Sequence, residues 1–309
     1  MKNIYEVQEE NKRKSLIVII FFSIFIAVSA YYISMALGYY LGYEPGGLGF
    51  LGIALIISSL VSFSSYWFSD QIILLMSNAK PADKSEYFDY YTVVENLCLA
   101  TGLPMPKLYI IDDTAPNAFA TGRGPQNAVI CATTGLLQKL NRTEIEGVIG
   151  HELSHIRNYD MLLMTIVSVL VGSIALLADF LLRINWSSRR ESNERRGNLG
   201  AIFLFLGIIF AILSPVIANL IKLAISRRRE FMADAGSVSI TKQPSGLISA
   251  LKKISQDHEP LEVANKATAH LYIVNPFKDK SQSMVGWFAN LFNTHPPIEE
   301  RLKLLEEMA

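Results

Sequence analysis

Cysteine is almost absent from the chain. Cys98 and Cys131 are its only two in 309 residues, too few for a disulfide framework and too far apart for a CxxC metal knuckle. Both read as small buried hydrophobes. Charge is also scarce, at 18% of residues against roughly 25% in an average soluble domain. The 28 basic and 28 acidic side chains cancel, so no global field draws in a polyanion and nucleic-acid binding is excluded as a function. No internal repeat or low-complexity tract is present in the polar stretches. What the chain has in excess is apolar side chain, 50% of residues, and this excess is gathered into blocks.

The first block, Ser15 to Leu37, carries no charge and exceeds the roughly 20 residues that cross about 30 Å of hydrocarbon as a helix. Lys12, Arg13 and Lys14 precede it. The run continues past its small residues Val28-Ser29-Ala30, which favours an uncleaved anchor over a signal peptide. A second block from 48 to 68 follows after a connection without lysine or arginine, so the two form a hairpin. A third, 161–182, contains only Asp179 as a charge, and a fourth, 199–221, is interrupted by Pro215, which a membrane helix tolerates. Four spans return the chain to one side, and the basic flanks at 12–14, 80–84 and 222–229 make that side the cytoplasm. One loop disagrees: Arg183, Arg189, Arg190, Arg195 and Arg196 lie between blocks three and four. The 161–221 pair is therefore either a full crossing or a hairpin that inserts partway.

Two polar stretches remain, 77–160 and 226–309. They fall on the same face of the membrane and together, at roughly 165 residues, suffice for one globular core split by the second hairpin. Lys107–Ile111 and Ala128–Ala132 read as strands, with a polar turn from Asp112 to Asn127 between them. Helices are expected over Thr92–Thr101, Arg142–Tyr159, Ser245–Gln256 and Ile298–Met308. The expected organisation is thus a membrane hairpin (1–76), a first cytoplasmic part (77–160), a second membrane hairpin (161–225) and a second cytoplasmic part (226–309).

His151-Glu152-Leu153-Ser154-His155 carries the chemistry. Residues four apart share a helix face, so His151 and His155 can offer two imidazole nitrogens to one ion. Zinc suits such donors; its catalytic sites take three protein ligands and keep a fourth position for water. Glu152 lies about 100° round the helix, poorly placed as a ligand but able to take a proton from that water. Asn141 can cap this helix, and Glu144 three residues on completes a capping box. The third ligand must come from elsewhere, from among Glu144, Glu146, Asp160, Glu230, Asp234, His258, His270 and His295. Glu230 is favoured because Asp234, one turn on, can bind the free N–H of a ligand histidine; the plain alternative is a surface Glu beside Arg227, Arg228 and Arg229.

Pro116-Asn117-Ala118-Phe119-Ala120-x-Gly122, His151-Glu152-x-x-His155, Ser226-Arg227-Arg-Arg-Glu230-Phe-x-Ala233-Asp234 and Thr294-His295-Pro296 occur in that order. Together they resemble the HtpX-type membrane zinc metalloproteases, relatives of the CAAX prenyl endopeptidases, over nearly the whole chain. The resemblance implies a mainly α membrane protein with about four transmembrane helices and a zincin-like α+β metallopeptidase domain facing the cytoplasm. It implies one Zn2+ per chain on His151, His155 and Glu230, with Asp234 behind the histidines and Glu152 as general base. It also makes Asn117, Ala118, Phe119 and Ala120 an edge strand that binds the substrate backbone, and brings His295 near the active site, where it can donate to an oxyanion; a helix-entry His-Pro is the equal alternative. Misfolded or damaged membrane proteins and unfolded polypeptides are the implied substrates, with the lipid bilayer as the other partner, as in a quality-control or stress response. The rivals are cleavage of prenylated peptides, a non-proteolytic zinc-containing scaffold, and a transporter.

Overall fold

The structure is a computed structural model that describes residues 4–41, 56, 59–61, 63–169, 227–262, 268, 271–274 and 296–309. The fourth apolar block and most of the second and third fall outside these residues, as do His270, His295 and the arginine-rich loop.

Helix α1 (Ile4–Leu41) encloses the first apolar run and extends it by more than two turns toward the N-terminus. Val7, Asn11, Ser15, Val18 and Phe22 are buried along one face at helical spacing, while Leu16, Ile17, Ile20 and Ile24 are exposed. Among the described residues no helix is long and apolar enough to cross a membrane; beyond Ile24 most α1 side chains lie outside the described part. A short helix α2 (Ser69–Met76) follows.

Among the described residues the sheet has four strands, in the order β1-β2-β4-β3. The two strands expected from β-branched content are β2 (Lys107–Ile111) and β4 (Ala128–Thr133), which run parallel. β1 (Lys80–Pro81) pairs antiparallel with β2 on one edge, and β3 (Ala118–Gly122) antiparallel with β4 on the other. β3 lies inside the segment that reads from its residues as a polar turn. Its Ala-Phe-Ala-Thr-Gly sequence lacks both alternation and β-branched density because all five residues are buried, and a strand covered on both faces loses the period-2 signal.

Beside this sheet lie α3 (Phe88–Thr101), α4 (Thr134–Lys139) and α5 (Arg142–Arg157), while α6 (Arg227–Thr241) and α7 (Pro244–Gln256) pack on α5, and α8 (Ile298–Glu306) packs on α6 and α7. One apolar core joins both polar stretches: Val93, Ile130 and Ile149 share it with Leu247, Leu251 and Leu305. Cys98 and Cys131 are free and buried.

The capping box on α5 forms as its sequence indicates. The Asn141 side chain accepts from the Glu144 N–H, and the Glu144 carboxylate accepts from the Asn141 N–H at 2.8 Å. Glu144 also accepts from Ser249 Oγ at 2.6 Å and Lys253 Nζ at 2.8 Å. It is thus a structural anchor between α5 and α7. Burial opposes its charge, but the hydrogen bonds from Lys253, Ser249 and Asn141 outweigh burial and hold its pKa below the usual Glu value. A depressed folded-state pKa gives stability that is full above the unfolded pKa and vanishes as pH falls through the folded one. Glu144→Ala is therefore expected to lose about 1–2 kcal/mol at neutral pH, and the gap to the parent should close as urea melts are taken below pH 4.

Helices α5 and α7 cross at Gly147, where a Cβ would stand 2.5 Å from the Leu247 backbone N. Backbone cannot yield as a side chain does. Gly147→Ala gains about 1 kcal/mol in helix propensity yet is expected to lose about 1–3 kcal/mol net through overpacking, read as a lower urea midpoint.

Candidate metal centre

Helix α5 carries His151, Glu152 and His155 into the interior, where all three are at most 5% exposed. Burying two imidazoles and a carboxylate is costly unless each is partnered. The partner comes from α6, packed against α5 through Gly150, whose Cβ position lies 2.8 Å from Ser237 Oγ. That close approach brings Glu230 into the site, with its Oε2 3.8 Å from His151 Nε2 and its Oε1 3.5 Å from His155 Nε2. The two Nε2 atoms are 3.1 Å apart. Among the described residues this is the group of three whose donor atoms could hold a metal, all lying within 4.8 Å of one another.

The donors fit zinc. Bonds of about 2.0–2.1 Å in a tetrahedron place ligand atoms roughly 3.3 Å apart, close to the spacings found. The back of each ring is also fixed: His151 Nδ1 is 2.9 Å from Asp234 Oδ1, and His155 Nδ1 is 3.2 Å from Asp160 Oδ2. A carboxylate at Nδ1 keeps that nitrogen protonated and turns the Nε2 lone pair toward the shared point. Two lone pairs and a carboxylate converging there repel one another unless a cation sits between them.

Asp234 is clamped in turn by Arg301 of α8, Nε donating to Oδ2 at 2.8 Å and Nη2 to Oδ1 at 2.6 Å. Arg301 is 1% exposed, and its Nη1 donates to the Ile273 carbonyl at 3.0 Å. Burial works against its charge, but Asp234 more than compensates and raises its pKa. Burial would also raise Asp234, yet Arg301 and His151 hold it below the usual Asp value.

Burial pushes Glu152 up to about 7, with Glu230 adding to the rise and His155, the Ala120 N–H and Arg301 opposing it. His151 is lowered, chiefly by burial. For His155, burial favours the neutral ring, but the bond to Asp160 and the charges of Glu230 and Glu152 prevail and raise it to about 9. A divalent cation among these donors would pull Glu152 back down and displace any proton from His155. The cavity at the cluster, about 10 Å³, is lined by Ala120, Glu152, Met164 and Ile273 beside the three donors, room for about one water. A cavity of about 630 Å³ lined by Tyr91, Glu95, Cys98, Leu99 and Met105 brings no group of three such donors together, so volume does not locate this site.

The other candidates for third ligand are elsewhere or otherwise engaged. Glu144 caps α5, Glu146 lies 3.5 Å from Arg142, Asp160 and Asp234 hold the ring Nδ1 atoms, and His258 is exposed on the loop after α7. Arg301 goes unnoticed in the sequence, although it stands beside the apolar stripe Ile298-Leu302-Leu305 of its helix, and a charge there was the available signal. Asn117 is buried and donates to the Val274 carbonyl at 3.1 Å. β3 begins at the next residue, and the Ile273 N–H donates to the Ala118 carbonyl on its outer edge at 3.0 Å.

The family model "Peptidase family M48" matches residues 89–309. A Protease HtpX homolog of Caldanaerobacter subterraneus subsp. tengcongensis is 42% identical over 312 residues, which cover 99% of this chain and 98% of that protein. A Protease HtpX homolog of Dictyoglomus thermophilum is 45% identical over 304 residues, covering 98% and 94%. Among solved structures, S. mikatae Ste24p matches with a TM-score of 0.47 and 17% identity, over 98% of this chain and 67% of that one.

Proposed function

This chain belongs to peptidase family M48 and is a metalloprotease, and from that premise we propose that it is a zinc-dependent endopeptidase working at the cytoplasmic face of the cell membrane. The observation that carries the reading is the buried trio His151, His155 and Glu230, each histidine braced from behind by a carboxylate, with Glu152 on the adjoining face of the helix.

Bound zinc supplies Lewis acidity, which polarises a peptide carbonyl and brings the ionisation of water down to about pH 7. Glu152 takes the proton from the attacking water and later delivers it to the leaving amine nitrogen. Burial gives this carboxyl a higher proton affinity than an exposed Glu has, which suits a group that must both accept and release. Asp234 and Asp160 hold the two rings in one tautomer throughout.

The substrate backbone is placed along the outer edge of β3, at Asn117, Ala118, Phe119 and Ala120, by strand addition. Supporting this, β3 is an edge of the sheet and Ala120 lines the cavity beside Glu152. The Ala118 carbonyl is held by Ile273, so an incoming strand must share or displace that bond. His295 is proposed as a donor to the oxyanion and lies outside the described residues.

The membrane location rests on the uncharged run within α1, whose Leu16, Ile17, Ile20 and Ile24 are exposed, as a lipid-facing surface requires. The resemblance to HtpX-type enzymes supports misfolded or damaged membrane proteins as substrates. To test the activity, detergent-solubilised protein is stripped by chelation and then given zinc with an unfolded model polypeptide. Cleavage should appear only on zinc addition; equal cleavage by the stripped protein would refute the reading. For location, the protein should stay with the membrane pellet through an alkaline wash, and release into the supernatant would oppose it.

A further inference from the structure

His155 is the ligand whose support is assembled from most of the chain. Its Nδ1 partner, Asp160, sits just past the end of α5 and is 2% exposed. A buried carboxylate that faces a histidine with one oxygen needs a partner for the other. That partner comes from the far N-terminus: Asn11 Nδ2 donates to Asp160 Oδ1 at 2.6 Å. The same amide group donates to the Asn158 carbonyl at 2.9 Å, and its oxygen accepts from Arg229 Nη1 at 3.4 Å. Arg229 Nε stands 3.8 Å from Asp160 Oδ1, and the next residue in the chain is the third ligand, Glu230.

Asn11 is 2% exposed and sits in the buried stripe of α1 formed with Val7, Ser15 and Val18. Its neighbours Glu10 and Lys12 give its stretch the look of a solvated flank before an apolar run, yet the amide is turned inward. An amide suits this position because it donates to Asp160 and accepts from Arg229 at once, whereas an acid or an amine could do only one of these. Gln8 adds a second tie from α1, donating to the Arg157 carbonyl at 2.8 Å without touching any carboxylate.

We infer that Asn11 is a positioning residue of the metal centre, orienting Asp160 and through it His155, so that the stretch of α1 before the apolar run is a working part of the peptidase site. The inference rests on the reading of His151, His155 and Glu230 as the metal site. It makes metal affinity depend on how the N-terminal helix is seated.

The test measures zinc affinity of the full-length protein by competition with a chromophoric chelator, together with the visible absorption of the cobalt-substituted form. Asn11→Leu keeps the volume and removes the amide. It is expected to weaken zinc binding 10- to 100-fold, the usual cost of losing an outer partner of a metal ligand, and to shift the cobalt bands. Gln8→Ala, which loosens the same helix but touches no carboxylate, should bind zinc within twofold of the parent. In an Asp160→Asn background, Asn11→Leu should cost less than twofold more, because its route to the metal is already cut. Equal losses for Asn11→Leu and Gln8→Ala would reduce Asn11 to a docking contact and overturn the inference. Unchanged zinc affinity and cobalt spectrum in Asn11→Leu would also overturn it while leaving the metal site standing. A parent that binds no zinc overturns both.

Discussion

Glu152→Gln should lower peptide cleavage by roughly 10³- to 10⁴-fold, the upper part of the range for removal of a general base, while zinc content stays at the parental level. The two effects separate because Glu152 is next to the donors without being one of them: His151, His155 and Glu230 form the cluster, and Glu152 lies on the adjoining face of α5. Glutamine has the same shape and can still accept from the Ala120 N–H through its carbonyl oxygen, so the strand and helix need not move. It cannot take a proton from water at neutral pH. The measurement is single-turnover cleavage of an unfolded polypeptide by zinc-loaded protein, with metal content taken on the same sample. Activity within tenfold of the parent would remove Glu152 from its role, and loss of metal would make it a ligand instead of a base.

The second large effect falls on stability. Arg301→Leu removes the cation that clamps Asp234 with two bonds of 2.6 and 2.8 Å, leaving a carboxylate that is 2% exposed with, among the described residues, His151 as its remaining partner. Breaking a buried ion pair on one side costs about 3–5 kcal/mol, and here the Ile273 carbonyl also loses its donor. Urea unfolding should show this loss directly, with weaker zinc binding alongside, since an unclamped Asp234 no longer fixes the ring of His151. Arg301→Lys should recover only part of it, because an ammonium lacks the planar fork that meets both carboxylate oxygens. A change of under about 1 kcal/mol in Arg301→Leu would mean that Asp234 is held by other means.

Much of this centre is legible in the sequence because it is written in local spacings. Two histidines four apart on a capped helix, and a carboxylate four before another on a second helix, place four of the five key side chains through helical geometry alone. β2 and β4 are legible for the same reason, their β-branched runs being short and bounded. β3 is not, because a strand covered on both faces and built from Ala, Phe, Thr and Gly carries no period. The outer supports are illegible for a different reason. Asn11 and Asp160 are 149 positions apart and Asp234 and Arg301 are 67 apart, and each partner alone looks like an ordinary polar residue of a helix or its flank. Only packing brings them together. Arg301 left a trace, a charge beside an apolar stripe, and Asn11 left none.

The most direct test of the central claim is elemental analysis of the folded, full-length protein beside its Glu230→Ala variant, both dialysed against the same low free-zinc buffer. The account predicts one zinc per chain in the parent and a loss of most of it in Glu230→Ala. A well-folded parent without stoichiometric metal, or a Glu230→Ala protein that retains as much zinc as the parent, would contradict it.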